Sequence, residues 1–155
     1  MASTSDFGIA FALPMAALAA LSLSVAAPAQ APGTTDVQVE IDGLRDARGL
    51  VRLCLTRDSK SFPDCKGTGA AHATITASTG PLHYRFHSVL PGAYAIVAFH
   101  DANSNGKLDK MMGMPKEGFA FSRNPKMHMR APRFNETSFH SEGQPPEPLK
   151  MKYLF

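Results

Sequence analysis

Apolar residues in this chain recur at every second position in short runs, and turn-forming residues separate the runs. Val37, Val39 and Ile41 alternate with polar neighbours, as do Val51, Leu53 and Leu55, and later Leu82, Tyr84 and Phe86. Successive side chains of a strand point to opposite faces, so each run predicts a strand with one face buried. Residues 71–77 form a weaker version, with Ile75 the only large apolar side chain. Residues 94–99 are apolar at every position, which predicts a strand covered on both faces and central in its sheet. A short strand is expected around Phe119 and Phe121, core anchors at Phe134 and Phe139, and a closing strand through Leu149, Met151 and Tyr153.

Turns fit between these runs. Gly43 and Gly49 bracket one, Thr79-Gly80-Pro81 makes another, and Val89-Leu90-Pro91-Gly92 a third. No stretch beyond residue 29 carries a helical period. The expected fold is therefore all-β: a single-domain antiparallel β-sandwich of seven or eight strands, prealbumin- or immunoglobulin-like.

The beginning of the chain has a different pattern. Residues 9–23 are almost wholly apolar and rich in alanine, and Val25-Ala-Ala-Pro-Ala-Gln-Ala31 follows. A short apolar core ending in small residues predicts a secretory signal peptide over 1–29, cleaved after Ala29. A linker over 30–36 then leads into the sandwich, 37–155. The run is too short and alanine-rich for a membrane span, so no stable membrane insertion is expected after cleavage. The expected location is the periplasm or the exterior.

Two cysteines, Cys54 and Cys65, lie eleven residues apart. In an exported protein an even count at this spacing predicts a structural disulfide. The formal net charge is +3, and the charges are dispersed. No basic run interleaved with aromatic residues offers a nucleic-acid surface.

The chemically most suggestive stretch is Asp101-Ala-Asn-Ser-Asn-Gly-Lys-Leu-Asp109. Oxygen-bearing side chains fall at its first, third, fifth and ninth places, with Gly106 at the sixth. That is the spacing of an EF-hand-type calcium loop. In this register Asp101, Asn103, Asn105 and Asp109 offer side-chain oxygens and Lys107 its carbonyl. The twelfth place is Met112 rather than a bidentate glutamate, so Glu117 would have to fold back to complete the shell. Affinity is then expected to be weak, with a dissociation constant of about 10⁻⁴ to 10⁻³ M. The flanks predict strand and turn, not helix–loop–helix, because Gly113-Met-Pro115 breaks any helix. Asn105-Gly106 would also serve a plain hairpin turn, which makes a purely structural domain without metal the blander expectation.

Two resemblances rest on these residues. Phe86-His-Ser-Val-Leu-Pro-Gly-Ala-Tyr94 resembles a strand connection of prealbumin-like and collagen-adhesin B-type sandwiches, with one of two paired prolines missing. The runs His100–Asp109, Gly113–Ser122 and Ala131–Phe139 are similar to an uncharacterised family of small exported bacterial proteins, domain of unknown function 2141. That resemblance implies fold and export, and it carries no activity.

Other groupings are weaker. His83, Arg85 and His87 share a strand face, but a guanidinium between two imidazoles repels a cation, so a solvated face is expected. Met127, His128 and Met129, with Met111, Met112 and Met114 nearby in sequence, offer soft donors suited to Cu(I), the alternative cofactor. No Gly-X-Ser-X-Gly elbow or His-Glu-X-X-His helix organises the serines, histidines and carboxylates, and no enzyme is expected. The expectation is a non-enzymatic binding module whose calcium-stiffened loops meet a protein or glycan of the cell envelope.

Overall fold

The computed structural model describes residues 33–128 and 130–155. The expected signal peptide, its cleavage site and the start of the linker lie outside the described residues, as does Met129.

Each alternating run forms a strand. In chain order the elements are β1 (Thr35–Asp42), β2 (Leu50–Thr56), β3 (Ala71–Thr76), β4 (Leu82–Val89), β5 (Ala93–Asp101), β6 (Lys110–Met111), β7 (Met114–Pro115), β8 (Phe119–Phe121), α1 (Phe134–Thr137), β9 (Phe139–His140) and β10 (Glu147–Lys150). Strand β1 starts two residues inside the stretch expected to be a linker.

Two sheets pack face to face. One has the order β10-β1-β4 and the other β3-β2-β5-β8, with β9 pairing to β5. The alternation sets which face is buried: Val37, Val39 and Ile41 meet Val51, Leu53 and Leu55 together with Tyr94, Ile96 and Ala98 in one core. Phe86 and Tyr94, on either side of the β4–β5 turn, both join that core. Strand β5 is central, as its unbroken apolar run predicts: β2 flanks it on one side and β8 and β9 on the other. Its outer face is covered as well. The Cys54–Cys65 disulfide, with an S–S distance of 2.07 Å, pins the segment after β2 there, and Phe62 packs tilted against Phe121 and edge-on against Phe134.

Three expectations need correction. The pairing is not wholly antiparallel, because β1 and β10 run parallel. The closing strand begins earlier, at Glu147, and ends at Lys150, with Met151 and Tyr153 continuing beyond it. One helical turn, α1, exists where none was expected. It is four residues long, and the Glu136 carboxylate accepts the Arg133 N–H at its start. Phe139 is a buried anchor as expected, whereas Phe134 is only half-buried.

Candidate functional site

Strand β5 ends at Asp101, and the 101–109 loop leaves from there. The pairing Arg52↔Phe99 places Asp101 diagonally across from Arg52 on the same outer face of the sheet. Arg52 Nε donates to Asp101 Oδ2 at 2.6 Å. Asp101 itself is wholly buried. Burial pushes its carboxyl pKa up, but the Arg52 bond and two backbone N–H donors outweigh that and leave it below the usual carboxylate range.

Those donors come from the loop itself. Asn105 N–H reaches Asp101 Oδ1 at 2.9 Å and Gly106 N–H reaches Oδ2 at 2.9 Å, so the chain wraps around this carboxylate. The wrap requires Gly106 to adopt φ +80°, which disfavours any residue with a β-carbon. Gly49 fits against the other side, since a β-carbon there would lie 2.1 Å from the Asp101 carbonyl oxygen. The side-chain oxygens of Asn103 and Asn105 accept the N–H groups of Asn105 and Lys107 at 3.2 and 2.8 Å. Both Asn side-chain amides donate to Asp109, Asn103 to Oδ2 at 2.9 Å and Asn105 to Oδ1 at 3.1 Å.

Glu117 folds back onto the loop and binds its backbone. It is buried, and its two oxygens accept Ala102 N–H at 3.1 Å and Asp109 N–H at 3.0 Å, tying the loop's first turn to its last. Lys116 N–H to the Asp109 carbonyl, at 2.8 Å, closes the β6–β7 hairpin between them. Asp101, Asn103, Asn105, Asp109 and Glu117 are thereby gathered in one hydrogen-bonded unit, from which Lys107 projects exposed. Among the described residues neither Asp109 nor Glu117 forms an ion pair, and Arg52 is the one basic partner of the unit.

The donor set can be compared with what calcium needs. Every candidate is a hard oxygen, which suits calcium better than a soft metal. On Asp101, Arg52 and Gly106 share Oδ2, so Oδ1 holds a single donor and keeps a lone pair. Among the described residues no three His, Cys, Asp or Glu side chains cluster as a metal site. A shell here would therefore draw on Asn103, Asn105 and the Lys107 carbonyl beside the carboxylates. As the loop stands, the side-chain oxygens of Asn103, Asn105 and Glu117 accept backbone N–H groups, and Arg52 sits against Asp101 as a built-in positive charge.

Sequence reasoning missed Arg52 because only strand register brings it to Asp101. It also missed the network behind the loop. His100 is buried, and its Nε2 lies 2.7 Å from the Arg48 carbonyl while its Nδ1 lies 2.9 Å from the Tyr153 hydroxyl. A carbonyl only accepts, so Nε2 donates to it, and Nδ1 is the ring atom that pairs with the Tyr153 hydroxyl. Tyr153 is capped by Arg45, whose guanidinium stacks 4.1 Å from the ring centre. Burial raises the Tyr153 phenol pKa. Beside this network, Arg48 pairs with Asp46 at 2.9 Å and lowers that carboxyl to about 2.

The other candidates stand apart. Met127 is half-buried and His128 exposed, in the connection between β8 and α1. Met111, Met112 and Met114 sit on the β6–β7 hairpin. His83, Arg85 and His87 are exposed, with Arg85 and His87 both reaching Asp36. Ser122 is buried and donates to the Thr137 carbonyl at 2.7 Å, a link between β8 and α1.

Fold and loop together define a small all-β sandwich domain with an acidic, asparagine-lined loop at one end. The family model described as "Uncharacterized protein conserved in bacteria (DUF2141)" matches residues 39–147. The chain belongs to that family, DUF2141. No curated protein and no solved structure matches it.

Proposed function

We propose that this chain is an exported, non-enzymatic binding module in which the Asp101–Glu117 loops take up a calcium ion weakly. A periplasmic or extracellular location follows from the leader pattern, and millimolar calcium outside the cytoplasm suits a loop of this charge. Asp101, Asn103, Asn105, Asp109 and Glu117 would hold the ion with the Lys107 carbonyl. The ion would supply charge balance and stiffness to the loop face. The observation that carries this reading is that the Asp109 and Glu117 carboxylates both pack into this loop, each held by uncharged N–H donors and neither by a basic side chain. Carboxylates drawn out of water onto neutral donors alone are stabilised when a cation joins them.

Thermal unfolding in EDTA, magnesium and calcium tests it. At about 100 times the dissociation constant a ligand of the folded state adds about 2.7 kcal/mol, which is several degrees in a domain of this size. A calcium-specific rise that disappears in Asp109→Ala is the expected result. No shift at about 10 mM, ten times the upper end of the range above, leaves the loop as a structural clasp closed by Arg52.

A further inference from the structure

The end of the sandwich that carries the acidic loop is also where the molecule exposes apolar surface. Six large hydrophobic side chains are exposed among the described residues: Leu90, Met111, Met112, Met114, Leu154 and Phe155. Leu90 lies before β5, at the opposite end. The other five flank the β5 terminus. Met111, Met112 and Met114 form the tip of the β6–β7 hairpin. Leu154 and Phe155 follow Tyr153, which touches His100, and Lys152, which bridges to Phe119.

The hairpin is built to present this tip. Met111 pairs with Met114 across a two-residue turn, with Met112 and Gly113 both at positive φ. Met112 is 93% exposed, at the apex. The base is fixed by Lys116 N–H to the Asp109 carbonyl and by Glu117 on Asp109 N–H. Lys110 and Lys116 lie at the base of the hairpin and Lys107 in the loop that leads into it, all exposed, and none of their ammonium groups has a partner among the described residues. Arg45 and Arg48 are also exposed at this end but are committed, Arg45 to Tyr153 and the Phe155 carbonyl and Arg48 to Asp46. Of the nearest acids, Glu117 is buried on backbone N–H groups and Asp109 is half-buried, so the exposed formal charges beside the tip are the three lysines.

An exposed apolar apex with three unpartnered lysines near its base matches one surface in both respects, a bilayer rich in anionic lipid. Its headgroups attract lysines near the surface, and its acyl boundary accepts unbranched, adaptable methionine side chains. The three nearby ammonium groups also repel a soft metal ion from the thioethers. We propose that this end of the molecule docks reversibly on an anionic membrane surface, with Met111, Met112 and Met114 inserted and Lys107, Lys110 and Lys116 at the headgroups. This does not depend on calcium, so the loop reading and the docking surface stand or fall separately.

The test is co-sedimentation with vesicles in EDTA. The full-length chain is expressed in a bacterium and recovered from the soluble periplasmic fraction, with its N-terminus read by mass spectrometry and identical in every variant. Vesicles of mixed phosphatidylglycerol and phosphatidylcholine are expected to bind it, and pure phosphatidylcholine is not. Rising salt weakens the binding. Met112→Asp is the informative variant, because Asp tolerates a left-handed backbone and the apex touches nothing that folding needs. It is expected to reduce binding about tenfold, and Lys110→Glu with Lys116→Glu to reduce it further. Equal binding to both vesicles, no binding to either, or full binding by Met112→Asp overturns the proposal. So does a dimer in sedimentation velocity that Met112→Asp dissociates without any vesicle binding, which would make a second copy the occupant.

Discussion

At the scale of single residues, the Arg52–Asp101 pair decides how the loop is held. Breaking a buried ion pair leaves a charge without compensation and costs about 3–5 kcal/mol. Arg52 is 30% exposed, so water softens the loss. Arg52→Gln is expected to destabilise the fold by about 2 kcal/mol in EDTA, read as a lower denaturant midpoint. If calcium uses Asp101 Oδ1, calcium restores more stability to Arg52→Gln than to the wild type; equal recovery separates Arg52 from the cation site. Two other carboxylates give opposite pH signatures. The Arg130 bond lowers Glu136 from 4.5 to about 2, so its stabilisation is complete above the unfolded value and fades as pH falls toward 2. Burial raises Glu147, so ionising it opposes folding at neutral pH and that cost vanishes on acidification. Glu147→Gln should therefore be at least as stable as wild type at pH 7 and lose the advantage near pH 4, whereas Glu136→Gln is weaker at pH 7 and converges with wild type near pH 2; melting curves across that range check both. The spacing of Asp101, Asn103, Asn105 and Asp109 was legible because one turn of chain contains it. Arg52 was not, because it lies 49 residues from Asp101 and only the β2–β5 register joins them.

At the scale of elements, the alternating runs gave β1, β2 and β4 directly, since a period of two admits only one way to bury the apolar set. The short elements were less legible. A helix of four residues, α1, completes barely one turn and leaves no period to detect. The two-residue strands β6 and β7 are defined by their turn and by Glu117, not by their side chains. The parallel pairing of β1 and β10 joins the two ends of the domain, a contact that local pattern does not encode. The disulfide was legible from composition and belongs to this scale as well. It holds the segment that carries Phe62 across the outer face of β5 and β8. Cys54→Ser with Cys65→Ser is expected to lose about 3 kcal/mol, the entropy of closing a loop of this length in the unfolded chain. Melting the oxidised protein beside the double variant measures it, and an equal midpoint would show that Phe62 packing alone holds the segment.

At the scale of the whole molecule, the last residues join the two sheets. Strand β10 belongs to the sheet of β1, yet Phe119 N–H on the other sheet donates to the Lys152 carbonyl at 3.0 Å. Tyr153 then reaches His100 at the end of β5, and Arg45 holds the Phe155 carbonyl at 2.6 Å. The loop that starts at Asp101 is thus braced from behind by a tail more than fifty positions away in sequence. Tyr153→Phe keeps the ring under Arg45 but leaves His100 Nδ1 buried without its hydrogen-bond partner, at a cost of about 1–3 kcal/mol. If bracing is what the tail does, that loss is not confined to the tail. Amide exchange should quicken at Asn105 and Gly106, whose N–H groups hold Asp101, as well as at Lys152. Faster exchange at Lys152 alone would mean that the loop is rigid by its own hydrogen bonds and the tail merely covers it. Faster exchange at both makes the end of the sandwich one cooperative unit, in which the acidic loop, the methionine hairpin and the C-terminus are held or released together.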